Sequence, residues 1–119
     1  MKVLVIIPTY NERENIVKLI SRLLNLKSGV EVLVVDDNSP DGTGQLVTQR
    51  ATEDRRIHLL ERPTKSGIGP AYIAGFKWAL TRGYDVMIEM DADLSHRPRY
   101  IPKFLERLKK SDVVVGSRW

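Results

Sequence analysis

The chain has 119 residues, 42% of them apolar and 29% charged, enough for one compact core and too few for two. Nineteen basic against fifteen acidic residues give a net charge of +4, which suits an anionic ligand such as a nucleotide or a phospholipid. There is no cysteine, so disulfides and thiolate metal sites are excluded and any metal must be held by oxygen or imidazole.

In chain order, Val3 to Ile7 is a short β-branched run that reads as a strand buried on both faces. The opening KVLVIIP is too short for a signal peptide, and no apolar run approaches the ~18 residues of a membrane span. Ile16, Leu19, Ile20 and Leu23 follow at helical spacing, with Asn11 and Glu14 in an N-cap and N3 relation. Val32 to Val35 is the second strand, and a helix beginning near Asp41 carries Leu46, Val47 and Ala51. Ile57 to Leu60 is the third strand, with His58 inside it as a structural residue. A helix from about Gly69 to Arg82 follows, with Gly83 as a left-handed C-cap. Val86 to Met90 is the fourth strand. Ile101, Phe104, Leu105 and Leu108 mark a fourth helix, with Pro98 and Pro102 in its first turns, and Val113 to Val115 is the last strand.

This alternation predicts an α/β fold, a doubly wound and mainly parallel sheet with helices on both faces. Strand one is expected between strands two and four. In such sheets ligands bind beyond the carboxyl ends of the strands, near the point where strand order reverses. Those ends carry Pro8 to Glu12, Asp36 to Ser39, Arg62 to Gly69, Asp91 to Asp93 and Gly116 to Arg118. Every polar cluster of interest falls on one edge.

Each cluster has a chemical reading and a plainer one. Asp91 and Asp93 leave a buried strand one residue apart, so both carboxylates can converge on a hard cation such as Mg²⁺ or Mn²⁺; a loop or cap pair is the plainer reading. Asp36 and Asp37 can accept from a nucleobase N–H or a ribose hydroxyl, or can satisfy backbone N–H groups of the Ser39-Pro40-Asp41-Gly42 turn. Of the two, Asp37 is the better ligand candidate. Lys65 and Gly67 precede a helix whose N-terminus can meet a phosphate, yet the segment is not a P-loop, because Lys65 precedes both glycines. Tyr72 stands where a dinucleotide fingerprint needs its third glycine. Glu89 keeps that reading open, lying about twenty residues on. Arg118 suits a phosphate or a free surface, and His96 a ligand or a turn. Basic residues are scattered and lack an RNA-binding aromatic pattern, which argues against nucleic acid as a partner.

Together IIPTYNERENI (6–16), VVDDNSPDGT (34–43), KSGIGPAYIAGF (65–76), MDADLSHRPRYIP (90–102) and VVGSRW (114–119) resemble the family-2 glycosyltransferases of the GT-A fold, specifically the dolichyl-phosphate mannosyltransferases. The segments span the whole chain in family order and spacing. Pro70 and Trp119 depart from the commoner threonine or alanine and tyrosine. The resemblance implies that Pro8, Tyr10, Glu12 and Asp37 line the base and ribose pocket. Lys65, Gly67, Asp91 and Ala92 complete the nucleotide site. Asp91 and Asp93 are implied as metal ligands for Mg²⁺ or Mn²⁺. Ser95 stands where some relatives place a ligating glutamine, and its hydroxyl reaches less far. Asp93 and Arg118 are the implied catalytic residues, Arg118 near the sugar diphosphate and acceptor phosphate.

The implied activity is inverting, metal-dependent transfer of mannose from GDP-mannose to dolichyl (polyprenyl) phosphate. The alternatives are transfer of glucose from UDP-glucose and a nucleotide-binding module without catalysis. Residues 1–119 read as one nucleotide-sugar-binding domain, truncated on its C-terminal side and inactive in isolation. A cytoplasmic location is expected, with the full-length protein at the cytoplasmic face of a membrane.

Overall fold

A computed structural model describes residues 2–26, 29–65, 67–92 and 113–114. The expected fourth helix falls outside them.

The elements run β1 (Val3–Thr9), α1 (Arg13–Leu24), β2 (Glu31–Asp36), α2 (Thr43–Glu53), β3 (Ile57–Glu61), α3 (Ile68–Leu80), β4 (Val86–Glu89) and β5 (Val113–Val114). All strand pairs are parallel, in the order β3-β2-β1-β4-β5. β1 therefore lies between β2 and β4, as expected. Leu4 pairs with Glu31 on one side and Met87 on the other. The chain leaves β1 toward β2 and β3, then crosses back to β4, so the strand order reverses between β1 and β4.

The β1 sequence explains why both faces are covered. Alternate side chains point to opposite faces of a strand, and both sets here are apolar. Val3, Val5 and Ile7 pack with Ile16, Leu19, Ile20 and Leu23 of α1 and Val47 of α2. Leu4 and Ile6 pack with Leu33, Val35 and the α3 residues Ala71, Tyr72 and Ala79. Gly75 lets α3 sit close to the sheet, because a Cβ there would lie 2.6 Å from Cγ2 of Ile6.

Three local expectations are corrected. Asn11 is not the N-cap of α1. The cap is Glu12, without a side-chain cap bond, and Asn11 is left-handed at φ 56°. The reason is tertiary: the N–H groups of Asn11, Glu12 and Arg13 donate to Ser39 Oγ, Thr43 Oγ1 and Asp41 Oδ2. The β2–α2 loop thus takes over the work of a local capping box.

α2 starts at Thr43 rather than near Asp41, because Asp41 stays outside the helix and accepts from the Thr43 N–H at 3.0 Å. Gly83 is left-handed (φ 75°) but lies two residues beyond the C-cap, Thr81. There the Arg82 N–H turns back to the Ala79 carbonyl at 3.0 Å.

At the opposite edge from the strand ends, His58 has the structural role expected of it. Its Nε2 lies 2.8 Å from Oε1 of Glu31, which also accepts from the Tyr84 hydroxyl at 2.8 Å. The His58 ring packs 5.1 Å from that of Trp78.

Candidate active site

The exits of β1, β2 and β4 and the start of α3 surround one cleft of about 290 Å³. It lies at the carboxyl edge beside the β1–β4 reversal, where open α/β sheets bind ligands. Its lining includes Pro8, Tyr10, Glu12, Asp37, Lys65, Gly67, Asp91 and Ala92. All eight residues expected to contact a nucleotide are therefore brought to one cavity. Asp93, Ser95, His96 and Arg118 lie outside the described residues.

The adjacent aspartates have separate fates because the chain turns between them. Asp36 is 2% exposed. Its Oδ1 accepts from the hydroxyls of Thr9 and Ser39, at 2.7 and 2.6 Å, and its Oδ2 from the Ser39 N–H at 3.0 Å. Its carboxylate is committed to holding the β2–α2 turn against β1. Asp37 faces the cleft instead, its backbone fixed by an N–H bond to the Thr9 carbonyl at 3.1 Å.

On the β1 side, the Lys65 ammonium lies 4.6 Å from the centre of the Tyr10 ring. This cation–π contact gathers a positive charge and an aromatic face at one wall. Gly67, at φ 99°, makes a turn that only glycine takes without strain, and α3 begins at the next residue. The partial positive end of that helix thus borders the cleft beside Lys65.

Across the cleft, the Tyr72 hydroxyl donates to Oδ1 of Asp91 at 3.2 Å. Glu89 is buried two residues earlier on β4. Burial, and then the Asp91 charge, push its carboxyl above the ordinary range. Glu89 does not line the cleft, so nothing here supports it as a dinucleotide ribose ligand.

Asp91 offers a hard oxygen donor at the cleft wall, where the Tyr72 hydroxyl orients it. That donor chemistry fits Mg²⁺ or Mn²⁺. Among the described residues no group of three His, Cys, Asp or Glu comes together.

Sequence reasoning missed four contributors. Thr9, Ile68 and Ala71 line the cleft, and Tyr72 orients Asp91. The available signal for Tyr72 is its place one helical turn beyond the Gly67 turn, facing the sheet.

A parallel sheet with a cleft at its switch point defines a doubly wound α/β domain with a ligand site where such sheets carry one, and comparison with known proteins narrows the class. The chain belongs to glycosyl transferase family 2, whose model matches residues 4–119. It is 55% identical over 118 residues to the undecaprenyl-phosphate mannosyltransferase of Micrococcus luteus, covering 99% of this chain and 49% of that protein. It is 48% identical over 120 residues to the polyprenol monophosphomannose synthase of Mycolicibacterium smegmatis, covering 99% and 45%. Among solved structures it resembles the Pyrobaculum calidifontis mannosyltransferase PcManGT in complex with GDP-Man and Mn²⁺. That match has a TM-score of 0.61 and 29% identity, and covers 77% of this chain and 27% of the other. The chain spans about half the length of the curated relatives it matches.

Proposed function

We propose that this chain is the nucleotide-sugar-binding domain of an inverting, metal-dependent transferase that moves mannose from GDP-mannose to a polyprenyl phosphate. The observation that carries the reading is the convergence of Pro8, Tyr10, Glu12, Asp37, Lys65, Gly67, Asp91 and Ala92 on one cleft. Both curated relatives are named for mannose and a polyprenyl carrier, which favours mannose over glucose.

In this reading Asp37 accepts from a ring N–H of the base. Pro8, Tyr10 and Glu12 enclose the nucleoside. Lys65 and the N-terminus of α3 offset the charge of the diphosphate. Asp91, oriented by Tyr72, holds the cation together with Asp93, and Ser95 adds at most a weak, short-reaching ligand. The bound Mg²⁺ or Mn²⁺ supplies charge stabilisation to the departing diphosphate. Arg118 is assigned to the phosphates.

An oxygen of the lipid phosphate forms a bond to the anomeric carbon, and the bond from that carbon to GDP breaks, GDP leaving with the electron pair. The nucleophile is already anionic near neutral pH, so no strong general base is required. Electrostatic placement supplies the acceleration. The acceptor phosphate is carried by a lipid, so the full-length protein works at a membrane surface. No helix among the described residues is long and apolar enough to cross one.

Isothermal titration of GDP provides the test. Affinity is expected to rise when Mn²⁺ is present, and Asp93→Asn is expected to lose more of that gain than Asp37→Asn. Equal affinity with and without metal would contradict the assignment.

A further inference from the structure

Arg62 follows the last residue of β3, and two contacts tie it to the end of β2. Its N–H donates to the Asp36 carbonyl at 2.8 Å. Its guanidinium lies against Asp37, with Nε 3.7 Å from Oδ1. The two side chains are 20% and 6% exposed, and both Asp37 Oδ1 and Arg62 Nη1 are buried. Asp37 lines the cleft and Arg62 does not. The guanidinium therefore meets the carboxylate from the protein side, while a ligand meets it from the cleft.

Buried ion pairs contribute little net stability compared with apolar packing, and their best-attested use is to specify one arrangement. Here the arrangement specified is the orientation of a carboxylate at a binding wall. We infer that Arg62 is a positioning residue that sets base selectivity by fixing the direction in which Asp37 offers an oxygen to the cleft. The inference rests on the reading above that Asp37 meets the base.

A fixed carboxylate oxygen accepts from a base with a ring N–H at its pairing edge, as guanine and uracil have. Adenine presents an unprotonated ring nitrogen there, whose lone pair the carboxylate repels. A carboxylate free to rotate offers the same charge with less discrimination. Lysine is a poor substitute, because its ammonium lacks the planar fork that holds a carboxylate in one orientation.

The test is titration of GDP, UDP and ADP, each with Mn²⁺, into the chain and its Arg62→Lys, Arg62→Met and Asp37→Asn variants, with melting temperatures recorded. Arg62→Lys is expected to lower the GDP-to-ADP affinity ratio on the order of tenfold, the size of one charged hydrogen bond. Asp37→Asn should lower the ratio at least as far. A ratio unchanged by Arg62→Lys and Arg62→Met but collapsed by Asp37→Asn would make Arg62 purely structural and overturn the inference. A ratio untouched by Asp37→Asn would sink the base assignment itself.

If the single Arg62 variants do not fold, the double variant Arg62→Met/Asp37→Asn leaves no lone buried charge. Its ratio should equal that of Asp37→Asn, and a further drop would show that Arg62 acts independently of Asp37.

Discussion

Asp36 and Asp37 are neighbours of one chemical type, yet three hydrogen bonds commit the first to the scaffold while the second lines the cleft. Removing them should therefore have opposite signatures. Asp36→Ala strands the hydroxyls of Thr9 and Ser39 and the Ser39 N–H. With each unsatisfied buried donor costing ~1–3 kcal/mol, the variant is expected to lose ~3 kcal/mol in urea unfolding. Its nucleotide selectivity, measured where it remains folded, should be unchanged. A variant that unfolds like the parent would show that those bonds are not what holds the turn. The sequence showed two aspartates at a strand exit and favoured Asp37 as the ligand candidate without showing what holds Asp36. Which one turns inward depends on where Thr9 and Ser39 lie in space.

At the scale of elements, α3 is held to the sheet by close approach rather than by large side chains. Ala71, Gly75 and Ala79 bring the helix onto Ile6 and Val35. Gly75→Ala would place a methyl 2.6 Å from a branched carbon of Ile6 in the centre of the sheet, where little can yield. Overpacking of this kind costs ~1–3 kcal/mol, and a lowered denaturant midpoint with an unchanged slope is the expected result. Because α3 also supplies Ile68 and Ala71 to the cleft, GDP affinity should fall as well.

The far ends of β2, β3 and β4 carry the Glu31–His58–Tyr84 cluster. Burial raises the Glu31 carboxyl, but the hydrogen bonds from His58 and Tyr84 and the nearby charges outweigh it and leave the group below its ordinary value. Burial and the Glu31 contact push the Tyr84 hydroxyl above its ordinary value of 10.0. A depressed carboxyl stabilises the fold above its unfolded pKa, near 4.5, and loses that contribution as pH falls through the folded value. A raised phenol stabilises below about 10 and loses its contribution as pH climbs beyond it. Urea midpoints measured against pH should therefore fall at both extremes. Glu31→Gln should flatten the acid limb in part, since Asp54, bonded to Arg56, is depressed too. Tyr84→Phe should flatten the alkaline limb.

At the scale of the whole molecule, the chain's described part supplies the cleft proposed to bind a nucleotide, and its curated relatives are about twice as long. Holding two substrates in a reactive geometry is worth ~7–11 kcal/mol of barrier in favourable cases. The 119-residue chain is therefore expected to bind GDP measurably yet transfer no radiolabelled mannose from GDP-mannose to polyprenyl phosphate, under conditions where a full-length relative is active. Robust transfer by this chain would place the acceptor site within it.

The parallel sheet and the edge that carries the cleft were determined by the sequence pattern itself, and the strand order was legible from that pattern together with the family resemblance. Apolar runs of strand length alternating with amphipathic segments leave few topologies open, and right-handed crossovers send every strand exit to the same side. That eight named residues would meet at that edge was legible from the strand exits and from the family motifs spread along the chain. What only the tertiary structure decided are contacts between segments distant in sequence. The start of α1 is capped by Ser39 and Asp41 of the β2–α2 loop and Thr43 at the start of α2, which displaced the local capping box that Asn11 and Glu14 suggested. Tyr72 finds Asp91, nineteen residues on, and Arg62 backs Asp37 across two strand ends. Periodicity specifies the face on which a residue lies, but a hydrogen bond needs atoms within about 3 Å, and that proximity is set when the elements pack.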